Sequence, residues 1–329
     1  LKKVIFLFEI KLHFCKMKLY LFLIIPTLFF SCSEHLNHEN VTEQFIEKYD
    51  ESINSDIALG AKLFFDPILS KDKSISCASC HNPTFAFADS SALSIGVDGK
   101  LGTRNTPSVM NMLSRPFFFH DGRAATLQEQ ALGPIENPVE MNLDYTEAIK
   151  RVKNENDYIY YFDKVYHKTP DSANVLDALA AFQESLESDG SAPHDLWMND
   201  EDPNALTASQ KRGRDLFLTK AKCFDCHFGP DFTGDEFRNI GIFDNDQYID
   251  KGRFEITKDS NDIGKFKVPG LRNVDLTAPY MHNGMFTTLE EVVEYYDNPY
   301  LVIEAPINMD STMLKPLGLT QQEKDDIVA

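Results

Sequence analysis

Five residues, Cys77-Ala78-Ser79-Cys80-His81, constrain this chain more than any others, and they recur as Cys223-Phe224-Asp225-Cys226-His227. C-x-x-C-H is the sequence to which a c-type haem is covalently attached. Both thiols add to vinyl groups of the porphyrin, and the next residue, histidine, swings under the ring to bind iron as proximal ligand. A C-x-x-C pair alone also suits a redox dithiol or half of a zinc site. Two copies, each with the adjacent histidine, favour two haems, held by Cys77, Cys80, His81 and by Cys223, Cys226, His227.

The 329 residues are enough for about two domains, each burying its own core. The two cysteines outside the motifs, Cys15 and Cys32, flank an apolar run from Met17 to Ser31 with a short basic start. Its length and its small residue before Cys32 read as a signal peptide and not a spanning helix. The ending fits a lipoprotein cleavage box with Cys32 as the lipidated first residue; an ordinary signal peptide cut nearby is the alternative. Met17 is the expected start, residues 1–32 the signal segment and 33–52 a polar tether. Export to the periplasm agrees with the haem motifs, since c-type haem is attached outside the bacterial cytoplasm. The membrane is then a partner only through the lipid anchor.

Residues 1–31 carry five Lys and one Glu, so their removal takes the net charge from −19 to −23. That field argues against nucleic acid as a partner and suits a small protein with a basic docking face, although acidic surfaces also serve solubility.

An internal repeat divides the rest. Gly60-Ala-Lys-Leu-Phe precedes the first haem motif and Gly213-Arg-Asp-Leu-Phe the second. Arg104-Asn105-Thr106-Pro107 pairs with Arg272-Asn273-Val274, and Phe119-His120-Asp121-Gly122 with Met281-His282-Asn283-Gly284. Each of the latter leads into a capping box, Thr126 to Glu129 and Thr288 to Glu291. Helical periodicity runs through residues 144–188, and a Gly/Ser/Pro/Asp-rich linker follows near 189–204. Strand-like alternation is scarce. The expected fold is mainly α: two cytochrome-c-like haem domains related by the repeat, residues 53–195 and 204–329. Trp197, the single tryptophan, is expected to pack near their junction. A capped helix from Thr320 has room for only about two turns before Ala329, so the chain is expected to continue beyond it.

From about Ile53 onward these motifs resemble the bacterial di-haem cytochrome c peroxidases and their MauG-type relatives. Arg104-Asn105-Thr106-Pro107, Asp121-Gly122-Arg123 and Pro279-Tyr280-Met281-His282-Asn283-Gly284 carry the resemblance together with both haem motifs. It implies a peroxidatic haem in the N-terminal domain, an electron-transferring haem in the C-terminal domain, and a calcium ion between them. It assigns the catalytic glutamate to Glu140 and its glutamine partner to Gln130. Peroxide cleavage requires one oxygen to lose a proton and the other to gain one, so a single mobile carboxylate can act as base and then acid. Calcium would be held by the Asn105 side chain and the carbonyls of Thr277 and Pro279, with water completing the shell.

Three positions depart from the family pattern. Where many members carry a removable distal histidine, sixteen residues past His81, this chain has Val97. His120 replaces the tryptophan placed between the haems and becomes the candidate bridge. The position of the second haem's distal methionine, fourteen residues past His282, is Tyr296, as in the MauG-like branch; Met281 and Met285 compete with it as ligands.

These readings imply a peroxidase reducing hydrogen peroxide with electrons from a small donor, a cytochrome c or a cupredoxin. The alternatives are a MauG-like oxidase that uses peroxide to oxidise a protein side chain, and a plain electron-transfer cytochrome. The resemblance leaves room for a homodimer.

Overall fold

The computed structural model describes residues 53–329; the expected signal segment and tether, with Cys15 and Cys32, lie outside the described residues. The described residues form a mainly helical fold. Its helices are α1 (Asp56–Phe65), α2 (Cys77–Cys80), α3 (Leu127–Glu136), α4 (Tyr145–Asn154), α5 (Asn156–Tyr166) and α6 (Ser172–Glu184). After them come α7 (Pro193–Met198), α8 (Ala208–Leu218), α9 (Phe254–Thr257), α10 (Leu289–Asp297) and α11 (Gln321–Val328). Two short antiparallel strands, β1 (Phe237–Arg238) and β2 (Phe266–Lys267), and several 3-10 turns, one of them Cys223–Asp225, accompany these helices.

A glycine sets the helix crossing that frames each haem motif. Helix α1 starts at Ser55, whose hydroxyl accepts from the Ala58 N–H, and buries Leu59, Leu63 and Phe64. At Gly60 it approaches α6 so closely that a Cβ would lie 1.8 Å from the Ala178 carbonyl oxygen. Helix α8, capped reciprocally by Thr207 and Gln210, meets α11 in the same way: a Cβ on Gly213 would lie 1.8 Å from the Asp326 carbonyl. Only glycine fits either crossing. Gly60→Ala is expected to cost at least the ~1–3 kcal/mol of overpacking, because the obstacle is backbone. A lowered denaturant midpoint of the haem-loaded protein measures it; an unchanged midpoint would show that the crossing yields freely.

The larger core joins buried residues from Ile53 to Leu186. Its centre is an aromatic nest in which Phe64 lies 5.0 Å from Phe182 and 6.1 Å from Phe87, with the His81 ring 6.2 Å away. A smaller core, Ile242, Phe286, Tyr295 and Ile303, lies in the C-terminal half. Trp197, on α7, sits beneath the cations of Arg214 and Lys211 at 5.3 and 5.6 Å, so it packs on α8.

A pseudo-two-fold relation governs how the two haem-bearing halves meet. The turns before α3 and α10 match residue for residue. Phe118 bridges Ala124 and Tyr280 bridges Phe286, while Phe119 and Met281 take φ of 65° and 72° and Gly122 and Gly284 take 66° and 65°. Across the contact the hydrogen bonds are reciprocal. Asn105 N–H donates to the His282 carbonyl, and Lys267 N–H donates to the His120 carbonyl, each at 2.7 Å. The repeat therefore runs differently from its reading by residue identity. Pro107 corresponds to Pro269, and Asn111 to Asn273, both left-handed at φ 59° and 61°. Asn105 then corresponds to Lys267, not Asn273, and Arg104 to Phe266. Charge fixes the contact as well. Arg104 grips Asp250 with two hydrogen bonds of 2.7 and 2.8 Å and reaches Asp121 at 2.6 Å, while Arg115 pairs with Asp231 and Asp235.

Candidate active site

The two haem motifs share the hydrogen bond that closes them, although the first is a turn of α-helix and the second, Cys223–Asp225, a tighter 3-10 turn entered from a left-handed Lys222. Ser76 and Ser79 cap α2 reciprocally, and the turn closes with His81 N–H donating to the Cys77 carbonyl at 2.9 Å. His227 N–H closes onto the Cys223 carbonyl at 2.8 Å. His81 Nδ1 lies 3.1 Å from the Phe87 carbonyl and His227 Nδ1 lies 2.9 Å from the Phe232 carbonyl. A carbonyl can only accept, so Nδ1 carries the proton and Nε2 keeps its lone pair for a metal. The carbonyls of Pro107 and Pro269 back the same two rings. Burial lowers the pKa of both histidines, which keeps the imidazoles neutral.

None of the four motif cysteines is paired in a disulfide. Burial pushes Cys77 and Cys223 up to about 12 and Cys80 to about 11. Both motifs open into one cavity of about 640 Å³ that runs between the halves. Paired thiols beside an imidazole whose Nδ1 is held by a carbonyl, facing a shared cavity, fit two covalent haems. Among the described residues no cluster of three or more His, Cys, Asp or Glu side chains forms a competing metal site.

Glu140 and Gln130 both line this cavity, and the Glu140 charge acts on the Cys77 and Cys80 thiols of the first motif. Gln130 projects from α3, whose start is fixed by the Thr126 hydroxyl accepting from Glu129 N–H and by Glu129 accepting from Ala125 N–H. Glu140 sits in the turn after α3, where Asn137 Nδ2 donates to its Oε1 at 2.6 Å. Burial raises its pKa above the ordinary carboxylate value; the Asn137 hydrogen bond and the Arg123 charge oppose that shift. The turn itself is braced from outside. Residues 94–102 form a small hairpin with Ile95 bridged to Leu101, and Val97 N–H donates to the Glu140 carbonyl at 2.8 Å. Gly96 lies so close that a Cβ would sit 2.2 Å from the Val139 carbonyl. Val97 is buried, at 1% exposure.

His120 and His282 occupy corresponding places at the pseudo-dyad. His120 Nε2 lies 2.9 Å from the Asn105 carbonyl, and burial holds its pKa down to about 4. His282 stacks on Phe266 with centroids 3.7 Å apart, and burial holds it at about 3. Asn105, Thr277 and Pro279 all line the cavity. The Asn105 amide nitrogen donates to the Ser91 and Ala92 carbonyls at 3.2 and 3.3 Å, leaving its oxygen as the acceptor. Tyr296 on α10 lines the cavity beside Cys223 and Cys226, and burial raises its pKa. Its neighbour Tyr295 is the core residue, donating from its hydroxyl to the Ile240 carbonyl at 2.8 Å. Met281 also lines the cavity, as does Met313, which the sequence reading did not single out; Met285 packs on the smaller core.

The model of the di-haem cytochrome c peroxidases, the family that includes MauG, matches residues 54–203. Over 303 residues the chain is 35% identical to a cytochrome-c peroxidase of Pseudomonas sp. strain SCT, covering 83% of this chain and 79% of that protein. This chain belongs to the di-haem cytochrome c peroxidase family. Membership implies two c-type haems, in agreement with the paired motifs. The chain is also 38% identical over 298 residues to the cytochrome c peroxidase of Escherichia coli, spanning 89% of itself but 60% of that longer relative. The methylamine utilization protein MauG of Methylorubrum extorquens is 37% identical over 281 residues, covering 83% of this chain and 76% of MauG. Among solved structures, a MauG-like protein associated with microbial copper homeostasis superposes with a TM-score of 0.72 at 31% identity, covering 83% of this chain and 87% of that one.

Sequence reasoning missed Asn137, Lys267 and the two backing prolines. Pro107 stands inside the quoted Arg104-Asn105-Thr106-Pro107 motif and Asn137 stands three residues before Glu140, so their positions carried a signal; Lys267 carried none until the repeat was placed correctly.

Proposed function

We propose that this chain is a peroxidase that reduces hydrogen peroxide to water, taking two electrons and two protons per peroxide from a small one-electron donor protein and solvent. The bound haems supply the iron on which peroxide is reduced and the path for the electrons. The protein supplies the proton handling, and the observation that carries the reading is Glu140, a half-buried carboxylate held by Asn137 and lining the cavity into which both haem motifs open. As carboxylate it takes a proton from peroxide; as acid it returns one to the departing oxygen. Gln130 orients the peroxide by hydrogen bonding. A plain electron carrier has no use for such a pair.

Catalysis in this scheme needs Glu140 ionised in the resting enzyme. Its raised pKa means that kcat/KM falls as pH drops through a value above the ordinary carboxylate range. Asn137→Ala removes a donor to the charged form, which raises that pKa further. The acid limb of the profile is therefore expected to move to higher pH, read from peroxide-dependent oxidation of reduced cytochrome c. A limb that stays in place would remove Asn137 from the proton handling.

Tyr296 favours a second reading, a MauG-like oxidase. Tyr296 stands beside Cys223 and Cys226, and if the second iron took up its oxygen and displaced the phenol proton, the resulting phenolate would stabilise that iron's oxidised states. Two cytochromes oxidised per peroxide support the peroxidase; oxidation of a protein side chain instead supports the alternative. Calcium between the halves, on Asn105 with the Thr277 and Pro279 carbonyls, is part of the proposal, as are periplasmic location and a lipid anchor at Cys32. Among the described residues no helix is long and apolar enough to cross a membrane.

A further inference from the structure

Lys267 is a largely buried cation whose ammonium group makes no hydrogen bond to the protein and is reachable from the cavity. Its side chain is 12% exposed, and its nearest carboxylate oxygen, Asp235 Oδ1, is 3.8 Å away, outside hydrogen-bond reach. That oxygen has no hydrogen-bond partner of its own, and the other Asp235 oxygen is taken by Arg115 at 2.7 Å. The ammonium group carries three donors. An ammonium group largely withdrawn from bulk water is favoured where an acceptor completes it. Lys267 lines the cavity into which both haem motifs open.

Its position in the repeat sharpens the identity of that acceptor. Lys267 and Asn105 are pseudo-dyad equivalents, tied by the reciprocal backbone bonds to His120 and His282. Two residues on, Pro269 backs the His227 ring, as Pro107 backs His81. The Lys267 side chain thus stands on the C-terminal half where Asn105 stands on the N-terminal half. A c-type porphyrin brings its own carboxylates, the two propionates, and no other anion is implied by the chain's family.

We propose that Lys267 is the built-in counterion for a propionate of the haem attached at Cys223 and Cys226. The proposal rests on the presence of the two haems and not on the peroxidase reading. Burial lowers the Lys267 pKa in the protein alone, with Asp235 opposing, so the propionate also serves to hold the ammonium charged.

The test is potentiometry of the haem-loaded protein, with a haem count as control. Lys267→Met keeps the length and apolar stem but removes the charge. One haem is expected to favour its ferric state about tenfold more, a downward shift of ~59 mV for a one-electron couple, with the other haem moving less. The propionate bending band in the resonance Raman spectrum should move with it. Lys267→Arg should restore both readouts, and Asp235→Asn should leave the propionate band in place. Unchanged potentials and bands in Lys267→Met would overturn the proposal, as would Asp235→Asn reproducing its band shift. If Lys267→Met does not mature, Lys267→Gln carries the same measurement, because its amide can donate but has no charge. None of these readouts needs peroxide turnover, so a failed peroxidase assay leaves this result standing on its own.

Discussion

Replacing Glu140 with glutamine is expected to slow peroxide turnover by about 10²–10⁴-fold, the usual contribution of a positioned acid–base group. The substitution is close to isosteric. The glutamine carbonyl can still accept from Asn137 Nδ2, now 2.6 Å from Oε1, and the Val97 hydrogen bond to the residue 140 carbonyl involves backbone only. What disappears is the ability to take up a proton at neutral pH. The loss should fall on kcat and kcat/KM together, since the interaction is made at the reacting oxygens. Haem content and the ferric spectrum should match the parent, which separates lost chemistry from lost structure. Turnover within about a factor of three of the parent would remove Glu140 from the catalytic role, because no acid–base step contributes so little.

The parts of this protein that were legible in its sequence are those where chemistry demands particular side chains. Covalent haem attachment needs two thiols and an imidazole at fixed spacing, so both motifs stood out. Helix starts needed Thr126, Thr207, Thr288 and Thr320, and each accepts a backbone N–H as its pattern implied. The mainly α fold followed from these. What stayed hidden depends on the backbone. The Pro107 and Pro269 carbonyls, and the reciprocal bonds at His120 and His282, use groups that every residue carries. Matching by identity drew Arg104-Asn105 toward Arg272-Asn273. The left-handed Asn111 and Asn273 were the usable signal for the true register, since asparagine tolerates that conformation better than most residues. With the register corrected, His120 pairs with His282 as before, but Asn105 faces Lys267, and the asymmetry between the two halves becomes a difference in charge.

The second large effect concerns the resting enzyme. Where the resemblance places a removable distal histidine, the chain has Val97, and the hairpin that carries it is fastened down. Gly96 N–H donates to the Lys100 carbonyl at 2.8 Å, Val97 N–H to Glu140 at 2.8 Å, and Lys100 Nζ to the Pro138 carbonyl at 3.0 Å. The Val97 side chain is buried and carries no lone pair, so nothing at this position has to be released before peroxide enters. The remaining imidazole of concern is His120. It is held elsewhere: its Nε2 lies 2.9 Å from the Asn105 carbonyl, within the contact between the halves, and ligation would break that bond. The fully ferric protein is therefore expected to react with peroxide on mixing, without prior reduction. Stopped-flow spectroscopy of the ferric protein against excess peroxide measures this directly. A relative gated by a distal histidine would stay silent until one electron was added. If this protein stays silent too, a ligand from outside the 94–102 hairpin closes the His81 site, and His120→Ala should then open it. A prompt spectral change in the parent, unaltered in rate by one-electron reduction, would place control of turnover in the supply of electrons and the proton handling of Glu140, with no ligand switch between them.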